Sequence, residues 1–193
     1  MVRVCVFCGS SEGFRPEYRQ TAIALGRAIA LRGDELVYGG SKVGLMGAVA
    51  DAVLAAGGKA IGVIPTALRD KEIAHQGLTE LHIVGSMHER KAMMADLSGG
   101  FVALPGGIGT LEELFEIWTW AQLGYHEKPV GVLNVSGFYG KLLAFLDDQS
   151  AEGFVRREHR DMLIVEEDPV RLLERYAHYD PPKIAKWIKA SER

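Results

Sequence analysis

The fold is indicated by one stretch in the middle of the chain, FVALPGGIGTLEELFEIWTW at residues 101–120. Its first four residues are continuously apolar, which is typical of a strand buried on both faces of a parallel sheet. The PGGIGT that follows, at residues 105–110, is rich in glycine and predicts a turn. A helix is predicted next, over residues 111–123. The stretch therefore predicts a strand, a glycine-rich turn and a helix in direct succession.

The same alternation of strands and helices extends from this stretch in both directions. We predict strands at residues 2–7, 35–38, 60–64, 81–84, 101–104, 130–134 and 162–165. We predict helices at residues 17–31, 45–56, 87–97, 111–123, 138–152 and 170–179. Strands that alternate with helices form right-handed βαβ units around a parallel sheet. We therefore expect a single α/β domain over residues 1–193, with a Rossmann-like, doubly wound parallel sheet and helices on both faces.

The composition narrows the class of protein. Of the 193 residues, 48% are hydrophobic and 24% are charged, which is typical of a soluble globular chain. The formal net charge of −3 argues against a dedicated nucleic-acid-binding protein. The longest uncharged stretch, residues 97–111, contains five glycines and a proline and is unsuited to a membrane span. With no export signal visible, we expect a cytoplasmic protein that has neither nucleic acid nor membrane as a partner.

Neither the cysteines nor the histidines indicate a metal or redox site. Cys5 and Cys8 have C-x-x-C spacing, but they fall at the end of a strand, where residues three apart face opposite sides. We interpret both thiols as structural. The six histidines show no metal-ligand spacing such as H-E-x-x-H, and we predict no metal.

Three glycine-containing turns follow predicted strands: CGSS at residues 8–11, GGSKVGLMG at 39–47 and PGGIGT at 105–110. Ligands of an open parallel sheet bind beyond the carboxyl ends of its strands, so we expect these turns to converge. Glycine lets backbone N–H groups approach a ligand, and the helix that follows adds free donors. Together the turns predict a phosphate site. None matches a P-loop or a G-x-G-x-x-G, which disfavours a dinucleotide-dependent oxidoreductase.

TLEE at residues 110–113 fits a capping box, with Thr110 as the N-cap and Glu113 at the third helical position. That structural role would account for Glu113 by itself. The same position near a helix N-terminus favours the ionised carboxylate. An ionised Glu113 could stabilise a developing cation, or act as a nucleophile or base toward water. Both interpretations stay open.

HERK at residues 88–91 places two cations in the first turn of a predicted helix. Cations are unfavourable at a helix N-terminus, so Arg90 and Lys91 invite an anionic partner. An arginine can clamp a phosphate or a carboxylate through two parallel hydrogen bonds. The alternative is a solvated helix start, which is common.

Four stretches of the chain resemble the Lonely Guy family: GGSKVGLMG at residues 39–47, MHERK at 87–91, PGGIGTLEE at 105–113 and WAQLGYHEKPVG at 120–131. The resemblance runs over nearly the whole chain, from residue 4 to residue 173. Members are phosphoribohydrolases that release free cytokinin bases from riboside 5′-monophosphates, and the resemblance implies Arg90 and Glu113 as the catalytic pair. It implies a substrate and phosphate site lined by Glu72, Lys91, Gly106, Gly107, Ile108, Gly109, Thr110, Leu111, Glu112 and Thr119.

The chain departs from the usual family pattern at two places. Gly99 and Gly100 stand where an acidic residue is more usual, and Ile108 stands where an aromatic residue is frequent. These departures leave the preferred base open. Two other functions also stay open: a nucleosidase that acts on AMP and other nucleoside monophosphates, and a non-catalytic carrier similar to molybdenum-cofactor carriers, which have the same fold and loop type. The presence of both Arg90 and Glu113 favours the enzyme over the carrier. Many family members were once labelled lysine decarboxylases. No residue pattern here suggests a lysine that binds pyridoxal phosphate, and we expect no cofactor.

The helix predicted over residues 111–123 is apolar on two sides. Leu114 and Trp118 lie on one stripe, while Ile117 and Trp120 lie on another. A helix that is apolar on two sides must be buried on two sides. We expect a homodimer that covers the second side, and the alternative is that the C-terminal segment of the same chain covers it. The basic stretch RREHR at residues 156–160 could reach a neighbouring site, although a solvated patch is the simpler interpretation.

Overall fold

A computed structural model describes residues 1–69, 71 and 73–182 of the chain. Its seven strands form one sheet in the order β4-β3-β2-β1-β5-β6-β7, and every neighbouring pair is parallel. The strand order reverses between β1 and β5, which is the switch point of a doubly wound fold. The predicted fold class is therefore confirmed. The strands are β1 (Arg3–Phe7), β2 (Glu35–Tyr38), β3 (Lys59–Pro65), β4 (Glu80–Val84), β5 (Gly100–Ala103), β6 (Val130–Leu133) and β7 (Leu163–Glu166).

The helices follow the predicted pattern with three additions. They are α1 (Pro16–Leu31), α2 (Gly44–Ala55), α3 (Thr66–Arg69), α4 (Met87–Leu97), α5 (Ile108–Leu123), α6 (Gly140–Ala151), α7 (Arg157–Arg160) and α8 (Pro169–Ala177). The four-residue helices α3 and α7, and a 3₁₀ turn at Val135–Gly137, were not predicted. Elements of one turn are too short to carry a helical hydrophobic period.

Each face of the sheet is covered by its own hydrophobic cluster. Along β1, Val4 and Val6 belong to the cluster under α1, α2 and α8, while Cys5 and Phe7 belong to the cluster under α4 and α5. This alternation follows from the two-residue period of a strand. Cys8 lies in the first cluster, opposite Cys5, and both thiols are buried and free. Their geometry matches the structural interpretation.

Backbone hydrogen bonds join the three glycine-containing turns at the carboxyl edge of the sheet. The N–H of Gly9 donates to the carbonyl of Pro105 at 3.1 Å, and the N–H of Leu45 donates to the carbonyl of Gly9 at 3.1 Å. Gly44 has a φ of +59°, and a side chain there would collide with the backbone of Ser10. Only glycine allows this approach without strain. The predicted convergence of the turns is confirmed.

Within the residues that the structure describes, no helix is both long and apolar enough to cross a membrane.

Candidate active site

Helix α5 begins three residues earlier than predicted. Gly107, in an extended conformation, is the N-cap and makes no side-chain capping bond, so Thr110 lies inside the first turn and is buried. The predicted capping box of Thr110 and Glu113 is therefore wrong. The physical reason is tertiary packing, because Gly106 lies against Gly9 and Thr110 too closely to admit a side chain. Within the described part of the chain, no side chain caps the first N–H groups of α5.

Helix α4 begins in the opposite way. The hydroxyl of Ser86 accepts a hydrogen bond from the N–H of Glu89 at 3.1 Å, and the carboxylate of Glu89 accepts one from the N–H of Gly85 at 2.8 Å. The side chains around this N-terminus thus satisfy it from within the chain. Arg90 and Lys91, the cations of this first turn, also have partners within the protein. The anionic partners that we expected for them are carboxylates of α5.

Arg90 and Glu113 form a buried pair between α4 and α5. Arg90 Nη1 donates to Glu113 Oε1 at 2.7 Å, and Arg90 Nε donates to the carbonyl of Val63 on β3 at 3.1 Å. The two residues are only 8% and 9% exposed. A side chain at Gly39 would overlap the guanidinium group, so this glycine makes room for it. Three elements therefore fix the arginine in front of the carboxylate.

The electrostatic state of Glu113 differs from the sequence-based expectation. Burial raises its pKa above the ordinary glutamate range, while the charge and hydrogen bond of Arg90 oppose the rise. The carboxyl is the sixth residue of α5, beyond the first turn, where the helix dipole has little effect. Arg90, with a smaller contribution from the charge of Lys91, thus favours the ionised form in place of the helix terminus. A carboxyl balanced in this way can take up and release a proton.

Lys91 lies one residue outside this pair and joins the same two helices. Its Nζ is 2.5 Å from Glu112 Oε1 and 2.9 Å from Glu116 Oε2. Burial lowers the pKa of Lys91, but the two hydrogen bonds outweigh it and leave the pKa above its usual value. The amine therefore stays charged and occupied by carboxylates.

The buried pair opens into a cleft of about 420 Å³ at the switch point of the sheet. Backbone from the first and third glycine turns forms one wall, and apolar side chains form the other. The lining residues are Cys8, Gly9, Ser10, Met46, Leu68, Met87, Arg90, Gly107, Ile108, Gly109, Thr110, Glu112 and Glu113. The cleft thus combines a buried acid–base pair, an uncapped helix N-terminus and an apolar wall.

Not all the predicted site residues meet in this cleft. Five of them line it together with Arg90 and Glu113: Gly107, Ile108, Gly109, Thr110 and Glu112. Lys91 lies in a narrow crevice beside Glu113, and Gly106 lines a neighbouring pocket. Leu111 is on the flank of α5 against the core, while Thr119 is exposed nearly two turns beyond Glu113. Glu72 falls outside the described residues.

Sequence analysis missed two side chains that line the cleft. Leu68 lies on the short helix α3, which has no signal of its own in the sequence. Met87 is the first residue of α4, inside a motif that drew attention only for its charges. It also missed the carbonyl of Val63, because a backbone acceptor leaves no mark on the residue type.

A family model described as "Possible lysine decarboxylase" matches residues 46–176 of the chain. A probable cytokinin riboside 5′-monophosphate phosphoribohydrolase of Oryza sativa subsp. japonica is 54% identical over 93% of this chain and 79% of its own length. A cytokinin riboside 5′-monophosphate phosphoribohydrolase of Arabidopsis thaliana is 48% identical over 93% of this chain and 83% of its own length.

Solved structures share the architecture at lower identity. The molybdenum cofactor carrier protein of Chlamydomonas reinhardtii matches with a TM-score of 0.70 and 23% identity, over 92% of this chain and 99% of that one. The molybdenum cofactor binding protein of Rippkaea orientalis matches with a TM-score of 0.69 and 24% identity, over 90% of this chain and 93% of that one. Likeness at this level of identity concerns the fold alone.

Proposed function

The chain belongs to the family of cytokinin riboside 5′-monophosphate phosphoribohydrolases, and from this we propose that it hydrolyses the N-glycosidic bond of N6-modified purine riboside 5′-monophosphates. The products are a free base and ribose 5-phosphate. One observation carries the proposal: the Arg90–Glu113 pair opens into the same cleft as the uncapped N-terminus of α5. A phosphate and the sugar attached to it would there lie beside a buried carboxyl.

The phosphate is assigned to the first turn of α5. Gly107, Ile108, Gly109 and Thr110 provide backbone N–H groups there, and the positive end of the helix dipole favours an anion. Gly107 and Gly109 have no side chain to block the approach, and a Cβ at either position would meet only open space. Binding energy from this remote phosphate orients the sugar toward the carboxyl.

We assign Glu113 to a position beside the anomeric carbon of the sugar, where the glycosidic bond breaks. Glycosidic cleavage passes through a transition state that resembles an oxocarbenium ion, which an ionised carboxylate stabilises. The bond between the anomeric carbon and the purine nitrogen breaks, and its electron pair leaves with the purine. A water oxygen joins the anomeric carbon and gives its proton to Glu113. That proton can then return to the purine nitrogen, so the carboxylate is regenerated.

Arg90 is assigned the task of holding Glu113. A guanidinium group is a poor general acid. Arg90 donates one hydrogen bond to the carboxylate and one to the carbonyl of Val63, so it keeps the carboxylate oriented and favours its ionised form.

The decarboxylase description of the family model implies pyridoxal phosphate, and the residues here do not fit that group. Its attachment needs a free lysine amine that can form an imine with it. Lys91, the lysine beside the cleft, is held by Glu112 and Glu116, and these bonds keep its pKa high. We therefore derive no step that involves this cofactor.

A product assay tests the proposal. The purified protein is incubated with N6-isopentenyladenosine 5′-monophosphate and, separately, with AMP, and free base is measured by chromatography. We expect base from the prenylated nucleotide at a higher kcat/KM than from AMP. Equal rates would instead favour a general nucleoside-monophosphate nucleosidase. Release of no base from either nucleotide would contradict the proposal.

We further propose that the protein works as a homodimer. Ile117, which was predicted on the second side of α5, is buried in the core with Leu114 and Trp118, so that part of the prediction is wrong. Phe115 and Trp120 are only partly buried. Burial of these side chains against a second copy would remove apolar surface from water. Light scattering at micromolar concentration tests this, and a monomer mass would contradict it.

A further inference from the structure

A second pocket lies on the other side of the switch point from the catalytic pair. We call it the aromatic pocket; it has a volume of about 230 Å³. Its lining residues are Gly9, Ser10, Ser11, Glu12, Gly13, Tyr18, Leu45, Pro105, Gly106, Gly107 and Phe138. Neither Arg90 nor Glu113 is among them, so the proposed hydrolysis does not use this space.

The walls of the aromatic pocket suit a flat, uncharged ring. The rings of Tyr18 and Phe138 meet edge to face, with their centroids 5.6 Å apart and their planes at 77°. Phe138 is 41% exposed, so apolar ring surface remains open to a ligand. Such surfaces stack with planar heterocycles, including all the nucleobases. The described lining contains no lysine or arginine, and Glu12 pairs with Arg19 at 3.0 Å, so the pocket does not favour a separate anion.

The base of the proposed substrate does not fill this pocket. The bond that breaks joins the base to the anomeric carbon, and that carbon must lie beside Glu113. Sugar and base therefore both belong in the cleft that Glu113 lines. The aromatic pocket is therefore available to a chemical group other than the base of the monophosphate substrate.

The two cavities share Gly9, Ser10 and Gly107, and Gly107 is one of the residues to which the phosphate is assigned. A group in the aromatic pocket would thus lie beyond the phosphate, on the side away from the sugar. In doubly wound folds, two mononucleotide halves flank the switch point and a dinucleotide crosses it. Here the phosphates would meet the N-terminus of α5 instead of a G-x-G-x-x-G loop.

We propose that the aromatic pocket binds the second base of a 5′,5′-linked dinucleotide. In such a molecule, the 5′-phosphates of two nucleosides are joined by a phosphoanhydride bond. The proposal rests on the phosphate position assigned under the proposed function. Such a dinucleotide occupies the catalytic cleft with one nucleoside and the aromatic pocket with the other, and it competes with the monophosphate substrate.

The test compares two probes of equal charge. Di(adenosine-5′) diphosphate carries the second ring, whereas ADP-ribose is the same molecule without it. Each is assayed as an inhibitor of base release from the monophosphate. We expect an inhibition constant about tenfold lower for the dinucleotide, the size of one base–aromatic stack. Equal constants for the two probes would overturn the proposal.

Substitutions in the aromatic pocket test whether the second ring binds there. Phe138→Leu keeps apolar volume but removes the ring, and it should reduce the tenfold advantage to about twofold, with the constant for ADP-ribose and the KM of the monophosphate unchanged. Phe145→Leu is the matched control, since Phe145 is an exposed phenylalanine of α6 outside the pocket, and it should keep the advantage. Equal weakening of both probes by Phe138→Leu would count against the proposal.

Two further measurements keep the outcome clear. If Phe138→Leu does not fold, Ser11→Phe fills the pocket from its exposed rim and should abolish the same advantage. If the protein releases no base from any nucleotide, the proposed function fails, and calorimetric titration with the same two probes still decides this inference. Equal affinity in that titration would refute it.

Discussion

Two four-residue segments with the same capping pattern have opposite fates in this molecule. SMHE at residues 86–89 caps the N-terminus of α4, with Ser86 bonded to the N–H of Glu89. TLEE at residues 110–113 lies inside α5, which begins at Ile108 after the glycine N-cap Gly107. The chain closes one helix N-terminus with its own side chains and leaves the other open at the same edge of the sheet.

The difference teaches that tertiary packing decides whether this pattern caps a helix. Gly85 precedes SMHE as well, but only before TLEE does a glycine pack too closely to admit a side chain, and there the helix starts earlier. Gly106, Gly107 and Gly109 allow α5 to start early and leave its first N–H groups without a side-chain partner. The closed terminus of α4 serves stability, and the open terminus of α5 is suited to an anion. The four predictions that follow test this division.

The largest effect is expected from matched substitutions of the last glutamate in each segment. Glu113→Gln should lower kcat by about 10³-fold, because it removes the carboxylate that faces the sugar. Glu89→Gln, on the exposed first turn of α4, should leave kcat within about twofold, since its effect is limited to the cap. Steady-state kinetics with the prenylated monophosphate measures both. Near-normal kcat in Glu113→Gln would refute the catalytic assignment.

A capping side chain at the N-terminus of α5 should raise the stability of the protein but weaken its binding of the nucleotide. Gly107→Asp adds a capping carboxylate in a backbone conformation that accepts it, and open space surrounds the site. We expect a Tm higher by about 2–4 °C and a KM for the nucleotide higher by about 10- to 100-fold, because the new anion competes with the phosphate. Gly107→Ala is the control and should raise KM far less. A fall in both Tm and affinity would point to simple misfolding.

The pH dependence should follow Glu113. Burial raises its pKa, so the folded protein binds this proton up to a higher pH than the unfolded chain. The free energy of unfolding therefore falls as pH rises from the ordinary glutamate pKa through the raised one, and Glu113→Gln lacks that fall. Across this window kcat should rise with pH as the carboxylate ionises. Thermal melts and pH–rate profiles of both proteins check this, and parallel melting curves would contradict it.

The smallest effect is expected at the closed helix. Ser86→Ala removes the cap of α4 and should cost about 1 kcal/mol, or roughly 2–4 °C in Tm. The KM for the nucleotide should stay within about twofold, since no phosphate is assigned to α4. A rise in KM as large as that of Gly107→Asp would show that both helix termini bind the anion.

Much of the fold was predictable because it rests on patterns that repeat along the chain. The alternation of strands and helices predicted the parallel sheet, and the glycine turns predicted the edge where Gly9 meets Pro105. These features depend on local residue types and on general rules of chain connection. They needed no knowledge of which side chains would pack together.

The details of the site depended on packing and were predicted less well. The start of α5 was wrong because TLEE matches a cap locally, while contacts between Gly106, Gly9 and Thr110 decide where the helix begins. The pairing of Arg90 with Glu113 came only from the family resemblance, because their separation of 23 residues is invisible to any periodic pattern. The dimer stays a prediction.

Because the strand order reverses at β1, this strand lacks one of its two partners during part of the chain's synthesis. β1 ends at Phe7, and its partner β5 follows only after roughly 90 residues. At ribosomal rates of about 5–20 residues per second, one edge of β1 stays unpaired for roughly 5–20 s. Until then this edge presents unpaired backbone N–H and C=O groups, which can pair with another chain. We therefore expect the segment made before β5 to be exposed to wrong pairing during synthesis, and a chaperone that covers it would protect this edge.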